Sequence, residues 1–167
     1  MGTENGQSVD IDCVVIKTHA NPELFAYGNN SSDTFTISDV QGLDDKDVGT
    51  LILCGCNAGN TDYAMNGIAA AFSDKVNGAP VVASDGTVVA TGDLIRPYIS
   101  RKDDIFKSYL DPTSIYFTIF NYMFTRDNNG WVIYQNGQLV PDSSLGKELR
   151  IDEMIELLRE KGYICSL

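Results

Sequence analysis

Basic side chains are scarce in this chain. Twelve Lys and Arg stand against 23 Asp and Glu, for a formal net charge of −11 over 167 residues. That balance leaves no basic face for a phosphate backbone, which argues against nucleic acid as a partner, and it disfavours anionic membrane surfaces. No run of about 18 apolar residues occurs, so no membrane-spanning helix is expected. Residues 1–10, "MGTENGQSVD", are polar and acidic rather than basic then apolar. They carry no visible signal peptide and read as a disordered lead, although the chain can still be part of an exported protein. The four cysteines, Cys13, Cys54, Cys56 and Cys165, are too few and too irregular for a disulfide framework. Free thiols are expected. Internal repeats, low-complexity segments and a Gly-rich phosphate loop are all missing, and nothing implies a cofactor.

What is present fits one globular domain over residues 11–167. Apolar content is 43%, and a chain of this length can bury a core without disulfides or metal. Residues 11–20, "IDCVVIKTHA", hold a β-branched apolar run that reads as a strand buried on both faces. Residues 50–56, "TLILCGC", read as a second, and 79–84, "APVVAS", as a third. Between them, 60–78 has helical periodicity through Ala64, Ile68, Ala71 and Phe72, with Asn60 or Thr61 as cap and Gly78 as stop. "DTFTIS" (33–38) hints at a small hairpin strand inside a loop. Asp85-Gly86 is a hairpin signal, as is Asn136-Gly137 within "GWVIYQNGQLV". Residues 101–110 suggest a short helix and 114–124 an aromatic, β-rich stretch. Ile151, Met154, Ile155 and Leu158 share one face of a final amphipathic helix that Gly162 ends. The pattern predicts an α/β fold: a mainly parallel sheet flanked by helices, with added C-terminal β-hairpins and a terminal helix.

Two residues carry the chemistry. His19, the single histidine, stands where the first apolar strand gives way to a loop, and Cys56 stands at the same point of the second. If the two strands are parallel neighbours, both residues emerge at the carboxyl edge of the sheet, where open α/β sheets bind ligands. A thiol nucleophile needs to become thiolate, and an imidazole beside it can take or hold the proton. A helix starting near residue 60 would add its N-terminal dipole. The N–H groups of Ala58 and Gly59 can receive an oxyanion. The bland alternative is a buried apolar Cys56 and an unremarkable strand-end His19.

Metal binding is the rival chemistry. Cys54 and Cys56 with His19 and Cys13 or Cys165 can be drawn as a zinc set. One-residue spacing on a strand is a poor match to the C-x₂₋₄-C turns of structural zinc sites, and no metal is expected. "LDDKD" (43–47) can be drawn as a calcium loop but reads more simply as solvated acid. Trp131 is expected to pack on its hairpin, or to line a substrate groove.

At these residues the chain resembles the caspase-like (clan CD) cysteine peptidases, particularly bacterial CHAT-type and related effector domains. "LILCGCNAG" (51–59) is similar to their nucleophile strand, "VVIKTHA" (14–20) to the strand ending in the catalytic histidine, and "APVVASDGTVV" (79–89) to the strand that follows. "GWVIYQNG" resembles a Trp-containing hairpin of bacterial members. The match is good over about residues 11–92 and weak beyond. It implies a caspase-like fold and a dyad, with His19 as base and Cys56 as nucleophile, that cleaves peptide or protein substrates through an acyl-enzyme. Ala20 replaces the glycine that usually follows the histidine and supplies an oxyanion-hole N–H. Cys54 replaces an acidic residue found in basic-specific relatives, so Asp85 is the candidate to face a basic substrate side chain. Two alternatives remain: a non-catalytic binding domain on the same fold, and an effector or toxin domain using the thiol for acyl transfer or deamidation.

Overall fold

The structure, a computed structural model, describes residues 2–4, 7–9, 11–27, 33–92, 115–120 and 127–164. In chain order the elements are β1 (Gly2–Glu4), β2 (Gln7–Val9), β3 (Cys13–Lys17), β4 (His19–Ala20), β5 (Leu24–Ala26), β6 (Thr34–Thr36), α1 (Ile37–Gln41) and β7 (Thr50–Cys54). A 3₁₀ turn (Thr61–Tyr63) leads to α2 (Ile68–Ser73), then β8 (Val81–Ser84), β9 (Thr87–Gly92), β10 (Ile115–Phe120), β11 (Trp131–Gln135), β12 (Gln138–Leu139), β13 (Glu148–Arg150) and α3 (Ile151–Glu160).

The central sheet runs β12-β11-β8-β7-β3. β3, β7 and β8 are parallel, and β11 and β12 join antiparallel. The fold is therefore α/β on a mixed sheet. Strand alternation sorts its side chains into two layers. Leu51, Leu53, Val81, Ala83, Val132 and Tyr134 face α1 and α2, where Val40, Ile68 and Phe72 cover them. Ile52, Cys54, Val82, Trp131 and Ile133 face the other way, onto Ile151, Met154 and Leu158 of α3. Each fully buried aliphatic side chain contributes about 1.5–3 kcal/mol of transfer free energy, so both layers are needed.

The terminal helix forms where its periodicity places it. Gly162, at φ 77°, supplies the left-handed residue that ends it. Asn136 and Gly137 both have positive φ, 49° and 75°, which makes the β11–β12 connection a type I′ turn as the dipeptide predicts. β6 and β5 pair as the small hairpin expected around 33–38.

Other expectations give way. β3 is an edge strand, half-exposed along Cys13–Ile16 rather than buried on both faces. Helix 60–78 shrinks to a 3₁₀ turn and the six residues of α2, because Gly67 breaks the periodicity. Asp85-Gly86 does not close a hairpin: β8 and β9 belong to different sheets, and β9 pairs with β10, which in turn pairs with β13. Residues 2–4 and 7–9, read as part of a disordered lead, pair antiparallel on either side of Asn5-Gly6. α1 lies in a stretch read as loop. Thr36 Oγ1 accepts from the Asp39 N–H, and the Asp39 carboxylate accepts from the Thr36 N–H at 2.7 Å, a capping box at its start. The helix expected at 101–110 lies outside the described residues. Among the described residues no helix is long and apolar enough to cross a membrane.

Candidate active site

The register of the parallel pair decides where the site residues emerge. Cys13 lies opposite Thr50 and Lys17 opposite Cys54, so β3 and β7 end level with one another. Beyond Lys17 the chain bends at Thr18 and enters β4, which carries His19. Beyond Cys54 it passes Gly55 and enters a turn at Cys56. Gly55 sits directly against the other segment. A Cβ there would overlap that of Ala20, and it would lie 3.1 Å from the Thr18 carbonyl oxygen and 3.2 Å from the Phe25 ring. Glycine at 55 is thus what lets the His19 segment lie against the Cys56 segment. Gly55→Ala is expected to push Thr18–Ala20 outward. It should lower any His19-dependent reactivity of Cys56 by about tenfold or more while the chain stays folded. Thiol-alkylation kinetics with circular dichroism on one sample would check this, and an unchanged alkylation rate would contradict it.

The Cys56 turn is held by its own backbone. Asn57 takes a left-handed φ of 57°. Its N–H donates to Gly86 O at 2.7 Å, the Gly59 N–H to Ser84 O at 2.8 Å, and the Ala58 N–H to Gly55 O at 3.3 Å. Ser84 Oγ also donates to Gly55 O, and Tyr134 Oη donates to Gly59 O at 3.2 Å. The Ala58 and Gly59 N–H groups are therefore spent on the fold, which corrects their assignment as oxyanion donors. The turn is pinned to the end of β8 by the very groups that the sequence offers for catalysis.

Two other N–H groups stand at the edge. The Asn21 N–H bonds Leu24 O at 3.0 Å, so in the β4–β5 ladder the 21/24 pair is hydrogen-bonded. The Ala20/Phe25 pair next to it is then of the non-bonded kind, and the Ala20 N–H points away from β5. Among the described residues the Cys56 N–H donates to no acceptor. Sequence reasoning offered Ala20 and missed Cys56. The only signal is position, since an N–H just past a strand end, where the chain turns away, loses its ladder partner.

Cys56 is half-buried, and among the described residues its Sγ makes only a long contact, 3.8 Å, to Val88 O. His19 is exposed and pairs through its backbone with Ala26. Its hairpin is well anchored. Thr18 Oγ1 donates to Ala26 O, and Asn21 Oδ1 accepts from the Glu23 and Leu24 N–H groups at 2.8 and 2.9 Å. The Ile68 N–H at the start of α2 donates to Pro22 O at 2.7 Å. The two segments are brought together, but among the described residues no hydrogen bond joins the His19 ring to Cys56. The helix-dipole contribution also falls away, because α2 begins at Ile68, well past the turn.

Asp85 and Trp131 do not line a groove. Asp85 is fully buried. Oδ1 accepts from the Thr61 N–H at 2.9 Å, and Oδ2 accepts from the Asn129 N–H and Nδ2 at 2.9 and 2.8 Å. Its carboxylate braces three segments and is not presented to a substrate. Trp131 is fully buried against the α3 layer. Cys54 lies in the same layer, and burial pushes its thiol up to about 12. Burial, with the charge of Asp12, pushes that of Cys13 to about 11. Among the described residues no three His, Cys, Asp or Glu side chains are grouped as a metal ion requires. In the 43–47 loop, Asp45 meets Lys75 at 3.5 Å and Asp47 accepts from Asn77.

Comparison with family models, with curated proteins and with solved structures finds no match to this chain.

Proposed function

We propose that this chain is a caspase-like cysteine peptidase domain that acts through Cys56 and His19. One observation carries the reading: β3 and β7 are adjacent, parallel and level, so the only histidine and a half-buried thiol follow at the same edge of the sheet. In the proposed reaction the His19 ring takes the Cys56 proton and the sulfur attacks the substrate carbonyl. The oxyanion is received by the Ala20 and Cys56 N–H groups. The imidazolium then protonates the leaving amine as the C–N bond breaks. Water, deprotonated by His19, releases the acyl group and restores the thiol. This chemistry requires the exposed His19 ring to turn toward the sulfur.

Substrate preference follows from what surrounds that edge. Asp85 is engaged inside the fold and offers no counter-ion to a basic substrate side chain. Tyr63 and Met65 are exposed on the segment between the Cys56 turn and α2, and Gly67 brings that segment close to Pro22. Apolar substrate side chains are expected to be favoured. A positional-scanning library of fluorogenic peptides tests this. Cleavage should favour apolar residues next to the scissile bond and should fall by about 10³-fold or more in both Cys56→Ala and His19→Ala. One feature favours a rival reading, a binding domain without turnover: the His19 ring makes no bond to the thiol. Under that reading no peptide is cleaved, and neither substitution changes anything the library measures.

A further inference from the structure

We propose that Phe72 of α2 is a positioning residue for His19: its ring supports the hairpin that carries the histidine and sets how that hairpin stands against the Cys56 turn. The inference rests on the His19–Cys56 reading and deepens it.

The need for a support follows from the sheet order. β3 and β7 end level, but the chain after β3 leaves the central sheet. Among the described residues β4, β5 and β6 form a sheet of their own, with no ladder to β12-β11-β8-β7-β3. No strand pairing therefore fixes His19 relative to Cys56, and the task falls to side-chain packing.

That packing is a row of three residues on two supports. Ala20 lies opposite Phe25, and Phe25 opposite Phe35, so the three stand on one face of the small sheet. Gly55, directly before Cys56, is the first support, since a Cβ there would overlap that of Ala20 and lie 3.2 Å from the Phe25 ring. Phe72 is the second. Its ring centroid is 5.7 Å from that of Phe25 and 6.3 Å from that of Phe35, at interplanar angles of 42° and 30°. Both distances lie in the range of attractive tilted pairs. His19 is the next residue to the row and is exposed, so the row fixes the backbone from which its ring must turn.

α2 is a fixed base for this ring. All six of its residues are buried. Ser73 Oγ accepts from the Gly137 N–H at 2.8 Å, which ties the helix to the β11–β12 turn, and the Ile68 N–H holds Pro22 O at 2.7 Å. Phe72 also packs in one cluster with Leu51 and Leu53 of β7, the strand that leads to Cys56. One ring thus bears on the strand before the thiol and on the hairpin that carries the imidazole. A shift of about 1 Å between reacting groups can cost about 10²-fold in rate, so the support matters to the chemistry as well as to the fold.

The test is the rate of Cys56 alkylation by iodoacetamide, with circular dichroism on each sample. Between pH 7 and pH 6 the intact protein should slow less than about twofold, whereas Phe72→Leu, which keeps an apolar side chain but no ring, should slow by about fivefold or more. Phe35→Leu removes the same contact from the hairpin side, at a half-buried position, and should act in the same direction even where Phe72→Leu fails to fold. In a His19→Ala background, adding Phe72→Leu should change the rate by less than about twofold, because a residue that acts through His19 has nothing left to act on. Leu158→Ala, in the opposite layer, should leave the intact profile as it is. Three results would each overturn the proposal while the dyad stands: an intact profile in both Phe72→Leu and Phe35→Leu; an equal effect of Phe72→Leu with and without His19; or an equal effect of Leu158→Ala. If the unaltered protein itself slows tenfold, the dyad reading fails and takes this inference with it.

Discussion

Asp85→Ala is expected to cost about 3 kcal/mol of folding stability. The substitution removes the acceptor for two backbone donors, the N–H groups of Thr61 and Asn129, in a position with no solvent exposure. Each buried donor left without a partner costs about 1–3 kcal/mol, and water reaches the half-buried Thr61 and exposed Asn129 only in part. For a domain of this size that predicts a drop in melting temperature of roughly 6–12 °C. The loss is not only local. Asp85 follows β8, Thr61 follows the Cys56 turn, and Asn129 leads into β11, so one carboxylate ties the Thr61 stretch to the paired ends of β8 and β11. Asp85→Asn keeps the shape but turns an NH₂ toward an N–H donor, so it should recover only part of the loss. Differential scanning calorimetry of the two variants checks both statements. A drop below about 2 °C for Asp85→Ala would mean that the carboxylate is not a brace.

Where local pattern and tertiary environment agree, the sequence is readable. Thr50–Cys54 is an uninterrupted apolar strand because it lies inside the sheet, between β8 and β3, with a layer on each face. α3 is readable from its stripe and its closing glycine, and the β11–β12 hairpin from Asn136-Gly137. Cys13–Ile16 looks the same as a central strand in composition, and nothing in a strand's own residues tells which neighbour it lacks. Asp85 shows a different limit. Before Gly86 it has the look of a turn residue, but donors from 24 and 44 residues away draw its carboxylate inward. The same holds for Ala58 and Gly59, since whether an N–H is free depends on the carbonyls of β8 and of Gly55. α1 was within reach, because Thr36 and Asp39 stand at capping-box spacing, but one turn of apolar pattern was too short to separate it from loop. That the segments of His19 and Cys56 follow strands ending level at one edge is readable from two apolar runs of equal length, provided they pair in parallel, which they do.

Iodoacetamide is expected to modify Cys56 far ahead of Cys13 and Cys54, and the pH dependence of that rate separates simple exposure from a dyad. With thiols pushed up to about 11 and about 12, Cys13 and Cys54 hold only about 10⁻⁴ and 10⁻⁵ of their population as thiolate at pH 7. An ordinary thiol holds a few per cent, so Cys13 and Cys54 should react about 10² or more times slower than an ordinary thiol. Cys54 is further shielded within the α3 layer. Cysteine 165 lies outside the described residues, and Cys165→Ser removes it from the measurement. What exposure cannot give is reactivity that persists in acid. An ordinary thiol slows about tenfold for each pH unit below neutrality, because its thiolate fraction does. A thiolate held by a protonated imidazole does not, until the pair itself is protonated. Between pH 7 and pH 6 the proposed dyad therefore predicts a change of less than about twofold with His19 present, and about tenfold in His19→Ala. Peptide mapping of the alkylated chain assigns the site, and stopped-time quenching gives the rates. If the intact protein also slows tenfold, and His19→Ala changes nothing, the thiol is merely exposed and the proposed peptidase chemistry fails. The slowness of Cys13 and Cys54 would survive that result, because it rests on their own desolvation and, for Cys13, on the charge of Asp12, and not on His19.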